Sequence, residues 1–340
     1  MDFELFTKQL QIWTNQIPLI ILGSGASVPF GLPSMWTLGD YIKKNVVLTD
    51  PDDIAQFEEF KNHFDKDGNL ESTLLSLQLR ENVLHQIVIN TWEIVNKIDI
   101  QLYNRLASNF DFPLKNLISY LLDSAGRKLS IVTTNYDRLA EYASSLSKGL
   151  LCTGYSQNYF GHFSPQIHTN NLTSMSGYSG QVNIWKVHGS LDWFNLNGQE
   201  SIQMPLQHSI PIDSKPLIVT PGLSKYLETH NEPYRTIFTQ ADIAIETARG
   251  YLCIGYGFND VHVQPKLIAQ IKANKPIIVL AKEITDNAKT AIIHSAGTRY
   301  ILMEEANEGK DTRIYSNTFG ENIIEDQSYW QLGEFNKLIM

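Results

Sequence analysis

Cysteine is scarce in this chain: two residues, Cys152 and Cys253, in 340. They stand far apart and form no C-x-x-C, so a structural zinc centre on four cysteines is excluded by count. Reduced thiols in a cytoplasmic protein are the simplest expectation. Long apolar runs are missing too. None approaches the ~20 residues that cross a bilayer, so no membrane partner is expected. The start, Met1-Asp2-Phe3-Glu4-Leu5, lacks the basic opening of a secretory signal. Positive charge is in the minority, with 27 Lys and Arg against 36 Asp and Glu and a net charge of −9. A general nucleic-acid binder needs a basic surface to release counterions, so direct, sequence-specific nucleic-acid binding is not expected. What remains is an ordinary globular composition, 43% hydrophobic and 19% charged. The length suffices for one large domain, or a domain with an insert.

The most informative stretch is Leu19 to Pro33. Leu19-Ile20-Ile21-Leu22 has the length and content of a buried parallel strand. Gly23-Ser24-Gly25-Ala26-Ser27 follows, then Gly31-Leu32-Pro33. Glycine permits a tight turn and a close approach to a ligand, and free N–H groups in such a turn form an anion site. The spacing is neither G-x-G-x-x-G nor a P-loop, since no Lys-Ser/Thr pair follows. A turn without a ligand also fits these residues alone.

Along the chain, Phe3, Phe6, Leu10 and Trp13 predict a short first helix, and Ser34 caps a second near Met35. From about 50 to 127 the apolar spacing is helical, which predicts a mostly helical insertion. Asp65-Lys66-Asp67-Gly68-Asn69 resembles part of a calcium loop, but later ligands do not align, and a solvated turn fits better. Leu129 to Thr133 reads as a strand that stops at Thr134-Asn135-Tyr136-Asp137. Asn135 and Asp137 either cap the next helix or face a ligand at the strand's carboxyl end. Residues 149 to 181 predict a long flexible loop carrying His162 and His168. Val182 to Val187 is a strand ending in His188-Gly189, and Lys215 to Thr220 another, ending at Gly222. Tyr251 to Ile254 ends in Gly255-Tyr256-Gly257-Phe258, and Ile277 to Leu280 is a further buried strand. Arg299 to Met303 is one more strand, and the tail around Tyr329 to Leu332 a short helix. Strands alternating with helices predict an α/β fold: a Rossmann-like, doubly wound parallel sheet with a helical insertion and no zinc module. Five strand ends, at Gly23, Asn135, His188, Gly222 and Gly255, are expected to face one crevice.

These motifs, in this order, resemble the sirtuin superfamily, and more closely the sirtuin-like domains of bacterial antiphage defence proteins. The resemblance covers roughly residues 17 to 285 of a single domain spanning 1 to 340. It implies NAD+ as substrate, while the shortage of cysteines leaves no metal expected. By that likeness Gly23, Ser24, Gly25, Ala26, Ser27, Gly31 and Pro33 hold the pyrophosphate and begin the nicotinamide pocket. Asn135, preceded by Thr134, contacts the nicotinamide ribose and places a water, Asp137 lies near the carboxamide, and His188 is the catalytic histidine. Gly255, Tyr256, Gly257 and Phe258 lie near the adenosine ribose.

Departures shape the expected activity. Sirtuin deacylases carry Asp-Phe-Arg after the Gly-x-Pro, where this chain has Ser34-Met35-Trp36. They carry Gln before the Asn, where Thr134 stands, and four zinc cysteines that are absent here. The resemblance therefore implies an NAD+ glycohydrolase that depletes NAD in antiphage defence. It further implies a homo-oligomer gated by a partner: a HerA-like ATPase, an Argonaute-type protein or a phage component. A non-catalytic NAD or ADP-ribose sensor and a zinc-free deacylase or ADP-ribosyltransferase are the alternatives.

Overall fold

The fold grows from the buried strand Leu19–Leu22. In the computed structural model its side chains alternate between two cores: Ile20 and Leu22 enter one, Leu19 and Ile21 the other. Both faces are covered, as a parallel sheet requires. The described residues are 1–68, 70–108, 110–123, 127–169, 176–198, 200–219, 231–260, 263–294 and 297–340. Gly222 and the His168 side chain lie outside them.

In chain order the strands are β1 (Leu19–Leu22), β2 (Lys128–Thr133), β3 (Gly149–Cys152), β4 (Gly161–His162), β5 (Gly180–Lys186), β6 (Gly189–Leu196) and β7 (Glu200–Gln203). They continue as β8 (Ser214–Ile218), β9 (Tyr251–Ile254), β10 (Ile277–Leu280), β11 (Tyr300–Ala306), β12 (Asp311–Ser316) and β13 (Gly320–Ile324). The main sheet has nine strands in the order β13-β12-β11-β10-β9-β1-β2-β5-β3. From β11 to β3 every pairing is parallel, whereas β12 and β13 add antiparallel. β1 pairs with β2 on one side and β9 on the other. The strand order therefore reverses at β1, and a crevice opens beyond the carboxyl ends there.

Between β1 and β2 the chain is helical: Met35–Asn45, Pro51–Asp67, Leu70–Ser76, Glu81–Leu106 and Pro113–Leu122. Local chemistry sets the ends. The Asp50 carboxylate accepts from the N–H groups of Asp52 and Asp53, and Pro51 starts the helix; Gly68, left-handed, stops it. The apparent calcium-loop residues Asp65 to Gly68 are that helix end. The first helix, Phe3–Thr14, starts on an Asp2 cap, and Ser34 caps the second.

Three features differ from the sequence reading. First, β8 joins a separate four-stranded sheet, β4-β7-β6-β8, not the parallel one. After β5 the chain reverses within two residues. Gly189, with φ of 84°, makes the reversal, and a Cβ there would meet the Leu217 carbonyl at 2.0 Å. β6 is thus peeled off the main sheet and takes β8 as its antiparallel neighbour. Second, the stretch from 149 to 181 holds β3, which pairs with β5, and β4, which pairs with β7. The polar residues between these short strands masked them. Third, β12 and β13 extend the sheet edge, and the last helix is Leu332–Ile339, beyond Tyr329.

Candidate active site

The crevice at the reversal point is a cleft of about 150 Å3. Its walls include Gly23, Ser24, Ser27, Pro33, Thr134, Asn135, Asp137, His188, Tyr256 and Gly257. Residues distant in sequence converge because the strand ends interlock. The Thr134 N–H donates to the Leu22 carbonyl, Val187 N–H to Thr133, and Leu191 N–H to Tyr136. The Thr133 hydroxyl adds a bond to the Leu22 carbonyl and accepts from the Asn135 N–H.

The glycines bring the two turns into direct contact. Gly23 N–H donates to the Ile254 carbonyl and Gly25 N–H to the Gly255 carbonyl at 3.0 Å. A Cβ on Gly23 would sit 2.4 Å from the Gly255 oxygen, and one on Gly255 2.1 Å from the Ala26 nitrogen. The two turns meet backbone to backbone, a contact only glycine allows. Ala26 and Ser27 N–H groups close short turns onto Gly23 and Ser24. The expected set of free N–H donors is thus largely spent inside the protein.

This contact also divides the expected site residues. Gly25, Ala26 and Gly255 line a second, mainly apolar chamber of about 490 Å3, with Ala281, Lys282 and Trp330. Gly31 ends a short 3-10 helix and lines neither space. Phe258 is fully buried in the core with Cys253 and Leu267, so its role is packing.

Asn135 and His188 are held in defined orientations. The Asn135 amide nitrogen donates to the Gly23 carbonyl at 2.9 Å and to the Ser27 hydroxyl at 3.1 Å. That hydroxyl in turn donates to Asp137 at 2.7 Å. With both amide hydrogens engaged, the Asn135 oxygen is left as an acceptor. His188 Nε2 lies 2.8 Å from Asp260 Oδ2, and both side chains are buried. Asp260 also accepts from the Val263 N–H at the start of the helix Val263–Lys272. Asp260 escaped the sequence reading, although it directly follows the second glycine turn. Leu38 and Val95 escaped it too, since apolar residues in helices carry no signal of a polar site, as did Leu32 in the turn before Pro33.

Buried charge supports the loop from below. Burial pushes the Asp137 carboxyl up from its ordinary value, opposed by Lys186 and by bonds from Ser27 and Leu139. Lys186, fully buried, pairs with Glu141 at 2.9 Å and donates to the Asp137 carbonyl. Arg138 grips Asp99 through its backbone N–H, its Nε and its guanidinium, at 2.7–2.8 Å.

The model of the SIR2-like domain matches residues 129–316, more than half of the chain. The chain belongs to the SIR2-like family. The match runs from β2 to the end of β12 and leaves β1 and β13 of the main sheet outside it. No curated protein sequence matches it. Solved structures similar to this SIR2-like chain include a Sir2 homologue in complex with NAD, 14% identical, with 89% of this chain and 88% of that one covered and a TM-score of 0.43. A structure addressing sirtuin substrate affinity is 14% identical over 100% and 98%, at 0.45. An S24A mutant of a Sir2 homologue with ADP-ribose is 15% identical over 87% and 92%, at 0.42. Among the described residues of the SIR2-like chain, no group of His, Cys, Asp and Glu is arranged to hold a metal, and no helix is long and apolar enough to cross a membrane.

Proposed function

We propose that this chain is an NAD+ glycohydrolase, cleaving NAD+ to nicotinamide and ADP-ribose. The observation that carries the reading is one cleft holding an Asn135 with only its oxygen unspent and a His188 braced by Asp260. Breaking the nicotinamide–ribose bond develops positive charge on the ribose while a neutral amide leaves. An oriented amide oxygen stabilises that charge and aligns a water or ribose hydroxyl. With Asp260 holding Nε2, His188 Nδ1 is the nitrogen that takes a proton from the attacking water or a hydroxyl. Ser24, Ser27, Pro33, Thr134, Asp137, Tyr256 and Gly257 shape the nicotinamide end. The larger chamber beyond the glycine contact is the place for the adenosine end, with Gly25, Ala26 and Gly255 in its wall.

The cleft is smaller than the ~300–1,000 Å3 typical of ligand sites, so a widening step precedes catalysis. That supports gating: an NAD-depleting cytoplasmic effector of antiphage defence, opened by self-assembly or by a HerA-like ATPase, an Argonaute-type protein or a phage component. The test is purified protein with NAD+ and separation of products, with and without the candidate partner. Nicotinamide and ADP-ribose are expected, and Asn135→Ala and His188→Ala each lower turnover by ~10²-fold or more. Tight nucleotide binding with no nicotinamide released under any condition would turn the assignment into a sensor.

A further inference from the structure

The longest helix between β1 and β2, Glu81–Leu106, lays one buried face along the cleft. Trp92, Val95, Asn96 and Asp99 recur at i, i+3, i+4 and i+7, so they share that face. All four are buried, Asp99 completely. Val95 stands in the cleft wall itself. The other three reach the two strand ends that carry the site. Asp99 Oδ1 accepts from the Arg138 N–H at 2.8 Å. Its Oδ2 accepts from Arg138 Nε at 2.8 Å and lies 2.7 Å from Nη2. The Tyr142 hydroxyl donates to the same oxygen. Asn96 Oδ1 accepts from Arg138 Nη2 at 2.8 Å. Arg138 directly follows Asp137, so the grip falls three residues from Asn135. On the other side, the Trp92 indole N–H donates to the Leu191 carbonyl at 2.8 Å. The Leu191 N–H donates in turn to the Tyr136 carbonyl at 3.1 Å. Leu191 lies three residues past His188, so one helix holds both the Asn135 loop and the turn after His188.

We infer that Asp99 is a positioning residue of the reaction, holding the Asn135 loop in register with His188 through Arg138. Trp92 does the same from the His188 side. The inference rests on the glycohydrolase reading of the cleft. Stability alone does not account for the arrangement. Desolvation offsets most of the attraction between two buried charges, and an apolar filling of similar volume often holds a fold as firmly. What an apolar filling lacks is direction. A guanidinium presents its donors in a fixed plane. Here one carboxylate takes both the side chain and the main-chain N–H of Arg138, which leaves the Asp137–Arg138 peptide one orientation. Asn135, whose amide nitrogen is tied to Gly23 and Ser27, takes its own orientation from that loop. A displacement of about 1 Å at a reacting group costs on the order of 10²-fold in rate.

Asp99→Asn and Trp92→Phe in the full chain test this, since each removes a directed contact and keeps most of the volume. Nicotinamide release is measured against NAD+ concentration. Beside it stands the Asn135 side-chain amide signal of 15N-asparagine-labelled protein, assigned with Asn135→Ala. Asp99→Asn should lower kcat by ~10–100-fold, leave KM within about twofold and move the Asn135 signal. Trp92→Phe should lower kcat roughly tenfold in the same pattern. A role in folding alone would lower the melting temperature while kcat per folded molecule and the Asn135 signal stay at wild-type values, and that result overturns the inference. If Asp99→Asn does not fold, Trp92→Phe decides by the same readouts. A wild type that releases no nicotinamide would fell the glycohydrolase reading, and the Asn135 signal would still decide whether Asp99 sets that amide.

Discussion

Replacing Ser27 with alanine probes the arrangement of the cleft at a single atom. Ser27 is 2% exposed, and its hydroxyl joins Asn135 to Asp137. Its loss strands one amide hydrogen and one carboxylate oxygen in a buried place, at about 1–3 kcal/mol each. The sum, about 2–6 kcal/mol, is survivable for a domain of ordinary stability unless it reaches the top of that range. In urea the midpoint should fall by roughly 1 M. Sign follows from Asp137. Its carboxyl is already raised by burial, and the Ser27 bond is one of the influences that lower it. Without that bond it climbs further, so the stability deficit is larger at high pH, where the ionised carboxylate needs the donor, than at low pH, where the proton takes its place. Asn135 keeps its bond to the Gly23 carbonyl, so it is loosened and not lost. About one neutral hydrogen bond of orientation goes, which predicts roughly a tenfold fall in kcat with little change in KM. Urea titrations at high and low pH, beside nicotinamide release, decide the matter. Wild-type stability together with wild-type turnover would refute the relay from Asp137 to Asn135.

Asp260→Asn keeps an acceptor for the Val263 N–H but removes the charge beside His188; kcat should drop ~10–100-fold while the melting temperature barely moves. Gly255→Ala should yield little folded protein by circular dichroism, because the new Cβ meets backbone at 2.1 Å and φ is 59°. Glu141→Gln should flatten the pH dependence of stability. In the wild type the folded carboxyl holds its proton until about pH 7 and the unfolded one releases it near 4.5, so stability falls as pH rises across that window. That fall, at most about 3 kcal/mol, should vanish from urea midpoints measured between pH 5 and 7.5.

Sequence periodicity located β1, β2, β5, β9 and β10, because strands buried on both faces read as unbroken apolar runs. It also brought Asn135, Asp137 and His188 to one place, since strand ends gather at a reversal of strand order. Short, half-buried strands were not legible. β3 and β4 carry two to four residues amid polar loop composition, and β8 looks like any parallel strand until its partner is known. The division of the glycine motif was hidden as well. A glycine that touches another backbone and a glycine that touches a ligand are the same letter, and only the position of Gly255 against Gly25 tells them apart. Asp260 was missed because its partner lies 72 positions away, at His188.

The union of the two glycine turns is made entirely of main chain, so no side chain of the motif is needed to hold it shut. Ser24 and Ala26 sit on a frame whose geometry is indifferent to what they are, whereas Tyr256 is packed into the core. A laboratory seeking to reshape the cleft and the chamber beside it has, at those two positions, freedom to substitute without unlocking the scaffold underneath.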